Sequence, residues 1–540
     1  MKVVVSAVVM LLLSVQVFAQ TKVSGVVTAE GKPLAGVNVS DGRDIVQTDS
    51  FGRYEIVVKP WSEHVYITPP SGYSPESEDG FAPGFFAHLV NDGTPETHDF
   101  RLRKECQDNY SMIFLTDLHL TNADFKPDLK TFKEVAAPAI RNQVKAASSY
   151  GPVYLANLGD LSHERYWYQY DYNVSDAYNT LKEANLSALV YSVPGNHDND
   201  GAIKTDNTDW DAGHLYRKTI GPEYYSVNIG KDHWLFLDDI LFVNGPFKPN
   251  RPRAVGAAGS LSYEKGFTKN QMEWLKQDLS YLSDTTRVFI CVHSPIVSDG
   301  SKGYTFRKGQ MDTLSTMFSR FGKVMIYAGH MHRTYFMHST QYPVFETTVL
   351  TATSGDMWES QPNRVLGIEG EDGGVYVVNY LKDGDKDSWQ SHLFGEKVMR
   401  VFDMNTVAKH YRKDKDIRRQ LEKYPQRLDY ADKEFRNMIL VNYWMYKSGQ
   451  TVEVFEDGKL LDVEKVTYED PLFNVSYYLH LFLDRLPVKP SQKTIINRHA
   501  FAARASSRNS DVLVRVKDAE GKVIYEELVK RPKPFTYEMK

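Results

Sequence analysis

Ser111-Met-Ile-Phe-Leu-Thr-Asp117-Leu-His119 is an apolar run that ends on two side chains able to ligate a metal, one residue apart. A strand buried on both faces reads as such a continuous run, and open α/β sheets bind ligands beyond the carboxyl ends of their strands. Four other segments repeat the arrangement. Val153-Tyr-Leu-Ala-Asn-Leu precedes Gly159-Asp160, and Leu189-Val-Tyr-Ser-Val-Pro precedes Gly195-Asn196-His197-Asp198. Val288-Phe-Ile-Cys-Val precedes His293, and Val324-Met-Ile-Tyr-Ala precedes Gly329-His330-Met331-His332. Each motif sits at the same end of a predicted strand, so all can meet at one edge of one sheet. Together they supply a ligand set for two metal ions, which makes a metallohydrolase the first hypothesis.

Working outward, Leu129 to Ala147 shows helical apolar spacing, as does Lys269 to Leu282 with Met272, Leu275 and Leu279. Strands alternating with helices from about Asp108 to Leu381 predict a layered α/β core. Gly373-Gly374-Val-Tyr-Val-Val-Asn-Tyr reads as its terminal strand and Lys382 to Asp387 as the turn that follows. Before it, Lys22 to Arg103 reads all-β, with turns at Glu30-Gly31-Lys32-Pro33, Asp41-Gly42 and Asp49-Ser50-Phe51-Gly52 between alternating runs. That stretch resembles the carboxypeptidase regulatory-like domain, a small sandwich of immunoglobulin or prealbumin type. After about Met399 a second β-rich unit is expected. Its strands are Met438-Ile-Leu-Val-Asn-Tyr-Trp, Thr451 to Leu461 with a hairpin-type Asp457-Gly458, Val512 to Lys517 and Val523 to Val529. The charged stretch Thr406 to Lys423 reads as a helix with a solvated face. The expected division is a leader over 1–19, a β-module over 20–105, the α/β domain over 106–385 and a β-rich accessory domain over 386–540.

With 540 residues the chain is too long for one ordinary core. Its 42% hydrophobic and 25% charged residues are those of a globular protein, and 64 Lys plus Arg against 69 Asp plus Glu leave no basic excess for nucleic acid. Met1-Lys2, the apolar stretch Val3 to Leu13 and Val17-Phe18-Ala19 fit a secretory signal cleaved after Ala19. No Cys follows the cleavage point to form a lipobox, so a periplasmic or secreted location without a lipid anchor is expected. Later segments fall short of the roughly 18 apolar residues a spanning helix needs. Cys106 and Cys291 are the only cysteines, which excludes a disulfide framework, and Cys291 reads as a buried free thiol.

Carboxylate, imidazole and amide ligands without a cysteine cluster suit Mn, Zn or Fe, not a structural thiolate site. A single DxH or GD pair means nothing in a chain of this length; the conjunction of five motifs in one order does. That order, DxH, GD, GNHD, H, GHxH, resembles the calcineurin-like metallophosphoesterase superfamily from about Met112 to Arg333, of the exported bacterial type with N- and C-terminal accessory domains. The resemblance implies a layered β-sandwich flanked by helices and two divalent ions. It implies that Asp117, His119 and His332 bind one ion, that Asn196, His293 and His330 bind the other, and that Asp160 bridges them. Two ions about 3.5–4 Å apart need such an anionic bridge and can acidify a bridging water, so a metal-bridging hydroxide is the expected nucleophile. His197 matches the family's proton donor to the leaving group, and Asp198 is expected to orient its imidazole, with a turn cap as the competing role.

Departures narrow the resemblance. Purple acid phosphatases carry a ligand tyrosine three residues after the GD aspartate, where this chain has His163, and the Ser/Thr protein phosphatases' continuation after GD is absent. His163 is expected to touch substrate or tune a ligand, or else to lie on the surface. Tyr166-Trp167-Tyr168-Gln169-Tyr170-Asp171-Tyr172 follows the bridging motif and either stacks on substrate or packs its loop. Ser354-Gly355-Asp356-Met357-Trp358, which follows the GHxH strand, is expected to border the same cleft. The substrate expected is a small-molecule or lipid- or glycan-linked phosphoester, mono- or diester. A nucleotidase or cyclic-nucleotide phosphodiesterase is the alternative within that class. A catalytically idle surface binding protein is the alternative outside it, disfavoured because no ligand is missing.

Overall fold

The alternation of apolar runs and helical stretches folds, in the computed structural model, into two facing sheets. The structure describes residues 21–126, 128–248, 253–297, 306–307, 309–355, 366–381, 388–393, 397–425, 427–478 and 497–536. The expected leader over 1–19 and the turn Lys382 to Asp387 lie outside the described residues.

One sheet orders Leu189–Ser192, Val153–Asn157, Tyr110–Leu115, Gly374–Tyr380 and Ser388–Leu393. The first three strands run parallel, with Ser111 opposite Val153 and Tyr154 opposite Leu189. Gly374–Tyr380 then pairs antiparallel with Tyr110–Leu115. The other sheet orders Tyr225–Ile229, Asp232–Phe236, Arg287–Cys291, Val324–Ala328, Phe345–Val349 and Tyr335–His338, with its four central strands parallel. The five motifs do not meet at one edge of one sheet, as the strand runs suggested: Asp117, Asp160 and Asn196 follow strands of the first sheet and His293 and His330 follow strands of the second, so they meet where the parallel strands of the two layers end side by side.

Aromatic side chains fill the space between the sheets. Phe114 stacks on Tyr327 with ring centroids 4.1 Å apart, and Trp234 on Phe289 at 4.4 Å. Their polar tips are satisfied inside the layer, as burial requires. Trp234 Nε1 donates to the Tyr110 hydroxyl (2.9 Å), which donates to Asp232 Oδ2 (2.6 Å), itself paired with Arg287. Cys291 is fully buried there, and burial holds its thiol well above the ordinary range, as expected of an inert core cysteine.

The helical stretch Leu129 to Ala147 forms, but not evenly. Asp128–Thr131 passes through a wider π-type turn at Phe132–Ala136 into Ala137–Ala147. Pro138 stands at the start of that last segment, and its missing N–H breaks the regular ladder just there.

Lys22–Ala29, in which every second residue is buried and those between are mostly half-buried, anchors the N-terminal β-domain. That domain docks on the second sheet and its helix: Tyr224 donates to the Gly42 carbonyl (2.6 Å) and Gln277 Nε2 to that of Arg43 (2.7 Å). Among the described residues, the C-terminal domain has two four-stranded sheets built on Met438–Tyr443 and Thr451–Glu456. Its charged stretch is two helices, Met404–Lys413 and Lys415–Lys423, broken where Asp414 caps the second. One face is solvated, and the other buries Val407, Tyr411, Ile417 and Leu421.

Trp234 is completely buried, so Trp234→Ala is expected to destabilise the domain by about 3–5 kcal/mol. Denaturant unfolding followed by circular dichroism measures this; a loss under about 1 kcal/mol would show that the aromatic layer collapses freely around the gap.

Candidate metal centre

At the sheet edge the chain must turn sharply while aiming side chains back over the strand ends. It does so by placing Asp117, His119, Asp160, His330 and His332 at φ values of 51°, 49°, 52°, 67° and 49°. This left-handed region costs a non-glycine residue about 1–2 kcal/mol and is most accessible to short polar side chains. Two glycines permit the close packing behind these turns. A Cβ on Gly195 would lie 2.2 Å from the Asp160 backbone nitrogen, and one on Gly329 would lie 1.8 Å from Thr116 Oγ1.

The turns gather the expected residues into two groups. Asp117, His119 and His332 offer ligand atoms all within 4.8 Å of one another, and so do Asp160, His293 and His330. His119 Nε2 lies 3.0 Å from His332 Nε2, and His293 Nε2 lies 3.1 Å from His330 Nδ1. Asn196 Oδ1 joins the second group, 3.1 Å from His293 Nε2. Asp160 Oδ2 lies 3.2 Å from His293 Nε2 and 3.7 Å from His119 Nε2, so it faces both groups.

These residues fit divalent cations. Asp117 Oδ1 is fully buried without a hydrogen-bond donor among the described residues, although it lies 3.3 Å from His332 Nε2. Paired imidazole nitrogens at such distances are lone pairs aimed at a common point, which is the donor chemistry of Zn, Mn or Fe. Electrostatics agrees. Against the penalty of burial, His332 and His119 hold the Asp117 carboxyl well below the carboxylate range, and His293 and His197 do the same to Asp160.

Neighbouring groups fix the ligands. His293 Nδ1 approaches the Leu158 carbonyl at 2.8 Å, which directs Nε2 inward, while Asp239 accepts the backbone N–H groups of His293 and Ser294. Thr116 Oγ1 donates to Asp117 Oδ2 (2.8 Å), and Gly355 N donates to the Asp117 carbonyl (2.9 Å). Ser354 and Gly355 thus brace the first turn, whereas Asp356, Met357 and Trp358 lie outside the described residues. From the other side, Ile368 N donates to the His332 carbonyl and Glu371 accepts from Thr334 N.

Asp198 takes the competing one of its two expected roles, the turn cap, and not the orientation of His197. Its carboxylate accepts the backbone N–H groups of Gly195, Leu161 and Ser162 (2.9, 3.2 and 2.8 Å) and the Ser162 hydroxyl, which makes it a clamp between two loops. Glu164 occupies the orienting position instead, hydrogen-bonded to His197 Nδ1. Burial alone would lower the His197 pKa, but Glu164 and Asp160 raise it to about 9. Glu164 directly follows His163 in sequence, yet nothing local marks it as a histidine's partner.

His163 is buried, not superficial. Its ring lies 5.3 Å from that of His119 and 4.3 Å from that of His197, and the three form a third ligand-competent group. The aromatic segment packs its loop at two positions. Trp167 is buried and donates to Ser162 Oγ (3.1 Å), while Tyr166 packs on His163 with centroids 4.7 Å apart. One wall was invisible in sequence. The hairpin Ile240–Gly245 and Ser260–Lys265 brings Phe242, Leu261 and Tyr263 to a cleft of about 570 Å³ over the metal groups, with the Tyr263 hydroxyl 2.9 Å from His330 Nε2.

Three family models match in tandem. Residues 21–105 match the N terminal of calcineurin-like phosphoesterase, 110–334 the calcineurin-like phosphoesterase itself, and 348–524 its C terminal. No curated protein matches the chain. Among solved structures, a dimetal phosphatase from Danio rerio is 14% identical with a TM-score of 0.36, covering 53% of this chain and 96% of its own. A purple acid phosphatase from yellow lupin (Lupinus luteus) seeds is 12% identical with a TM-score of 0.34, covering 67% of this chain and 68% of its own. These likenesses are slight, and the family match rests on the three sequence models.

Metal removal and return test the fit directly. Equilibrium dialysis with Mn or Zn is expected to load about two ions per chain and raise the melting temperature. Gly195→Ala, whose Cβ would overlap Asp160, is expected to lower that stoichiometry while the far-ultraviolet spectrum stays unchanged. Unaltered loading would mean that the Gly195 turn does not position Asp160.

Proposed function

The chain belongs to the calcineurin-like phosphoesterase family and is a dinuclear metal-dependent hydrolase of phosphoester bonds; from that premise we propose that its substrate is a phosphodiester bearing one apolar group. In this reading Asp117, His119 and His332 hold one divalent ion, Asn196, His293 and His330 hold the other, and Asp160 is shared. The observation that carries it is the position of Asp160 Oδ2, within 3.7 Å of an imidazole from each group. Two divalent ions supply Lewis acidity to a phosphoryl oxygen and lower the pKa of a water between them.

The chain's own residues supply the rest. Because Glu164 holds Nδ1 of His197, its Nε2 is left on the Asp160 side, 4.0 Å from Oδ2, where it can hand a proton to the leaving oxygen. Asp198 keeps the Asn196–His197 turn in place from behind. Arg165 is the only lysine or arginine among the described residues lining the cleft, and Phe242, Leu261 and Ile368 make part of its wall apolar. A monoanionic diester with an apolar substituent suits that lining better than a dianionic monoester. Among the described residues no helix is long and apolar enough to cross a membrane. The composition of Val3 to Ala19 supports export to the periplasm or beyond, and a mature chain beginning at Gln20 is the expected result of N-terminal sequencing.

With Mn restored to metal-free protein, kcat/KM is expected to be higher on bis-p-nitrophenyl phosphate than on p-nitrophenyl phosphate, and Asp160→Asn should be at background on both. The reverse order sinks the diester reading; a metal-loaded wild type inert on both sinks the phosphoesterase reading altogether. His197→Ala is expected to lose about 10²-fold or more on alkyl esters and less on nitrophenyl esters. Glu164→Gln should lose about 10- to 100-fold with the same leaving-group trend, and equal losses on every ester would remove the proton-donor role.

A further inference from the structure

Glu164 faces two imidazoles, and the proton transfer described above uses only one of them. Its Oε2 is hydrogen-bonded to His197 Nδ1 and lies 3.4 Å from His163 Nδ1. The loops that carry the two histidines are tied together. Glu164 N donates to the His197 carbonyl (3.1 Å), and the Ser162 hydroxyl donates to the same oxygen (3.2 Å). Tyr166 packs on the His163 ring with centroids 4.7 Å apart, while the rings of His197 and His119 lie 4.3 and 5.3 Å away. Held on these sides, the His163 ring has one edge left to offer.

That edge faces the substrate. His163 lines the cleft; its Nδ1 is fully enclosed, whereas its Nε2 is neither enclosed nor hydrogen-bonded among the described residues. A carboxylate oxygen only accepts, so the ring hydrogen belongs on Nδ1, which faces Glu164, and Nε2 keeps its lone pair. His197 is in closer contact with the same oxygen and already answers the single Glu164 charge. A second imidazolium beside it would meet strong repulsion in a site of low dielectric. The open edge is therefore an acceptor. Phosphoryl oxygens are acceptors too, which leaves a substrate hydroxyl as its match. A metal ion shared with His119 and His197 is the other use of such a lone pair, but His119 already serves one ion and His197 carries a proton on Nε2. Both His163 and His197 turn Nδ1 toward Glu164, so their Nε2 edges face away from it beside each other. With His119 they offer ligand atoms within 4.8 Å of one another. A hydroxyl held by His163 lies next to the oxygen that His197 protonates.

Resting on the phosphoesterase reading above, we propose that the leaving alcohol is a vicinal diol, esterified through one oxygen, whose free hydroxyl donates to His163 Nε2. The substrate is then a phosphodiester with one apolar substituent and one polyol substituent. Hydroxide bonds to phosphorus, the bond from phosphorus to the polyol oxygen breaks, and that oxygen takes the His197 proton, so the polyol leaves with both hydroxyls intact.

Two matched esters test this with the Mn-loaded full chain: hexyl 2-hydroxyethyl phosphate and hexyl 2-methoxyethyl phosphate, whose capped oxygen accepts a hydrogen bond but donates none. Release of hexyl phosphate, the product common to both, is the readout. The wild type is expected to favour the hydroxyethyl ester about tenfold or more in kcat/KM. His163→Phe, with a ring of similar size and no acceptor, is expected to bring the two esters within about twofold of each other, and His163→Gln, which keeps an acceptor oxygen, to restore part of the preference. Equilibrium dialysis checks that each variant holds as much Mn as the wild type. Equal wild-type rates on the two esters overturn the proposal without any variant. So does a preference that survives in metal-loaded His163→Phe, or a third Mn per chain that this variant loses, which would make Nε2 a metal ligand. Turnover of bis-p-nitrophenyl phosphate alongside equal rates on the alkyl esters removes this proposal alone, whereas a wild type inert on all three removes the phosphoesterase reading with it.

Discussion

Two carboxylates, Asp117 and Asp160, are buried within reach of five imidazoles, those of His119, His197, His293, His330 and His332, and the surrounding structure is organised around keeping them there. Buried ionised groups persist only when opposite charge or hydrogen bonds offset their lost hydration. In this chain the offset comes from histidines around each carboxylate and from divalent ions when bound. The same crowding that would destabilise an ordinary core makes the ligand atoms converge.

Convergence also has a backbone cost, because five of the residues involved stand in the left-handed region. Such strain persists where neighbouring structure over-determines the turn. The Asp198 clamp, the Asp239 clamp, the Gly355 amide and the Ile368 amide each hold one turn from outside. They come from widely separated parts of the chain. The segment Leu366 to Asp372 links the metal edge to the C-terminal domain, since Glu369 pairs with Arg333 and accepts the Arg498 backbone N–H. The third domain thereby supports His332, and among the described residues it adds no ligand.

Much of this was legible along the chain, for a physical reason. Buried parallel strands demand continuous apolar runs, and strand ends are where ligands bind, so the positions of Asp117, Asp160, Asn196, His293 and His330 could be read locally. Asp198 shows where that reading stops. Adjacency to His197 suggested a partnership, but successive residues in a turn point different ways, and its carboxylate faces the Leu161–Ser162 amides. Glu164 reaches His197 from another loop, across a gap that only folding closes.

The sequence alone determined the order of strands and motifs, the ligand types and the family, because each is encoded in short runs whose chemistry does not depend on distant neighbours. Tertiary structure alone decided which carboxylate holds His197, that His163 is buried beside His119, and that the Ile240–Lys265 hairpin walls the cleft. These are meetings between residues far apart in the chain, and their energies depend on burial and distance, which no local pattern records.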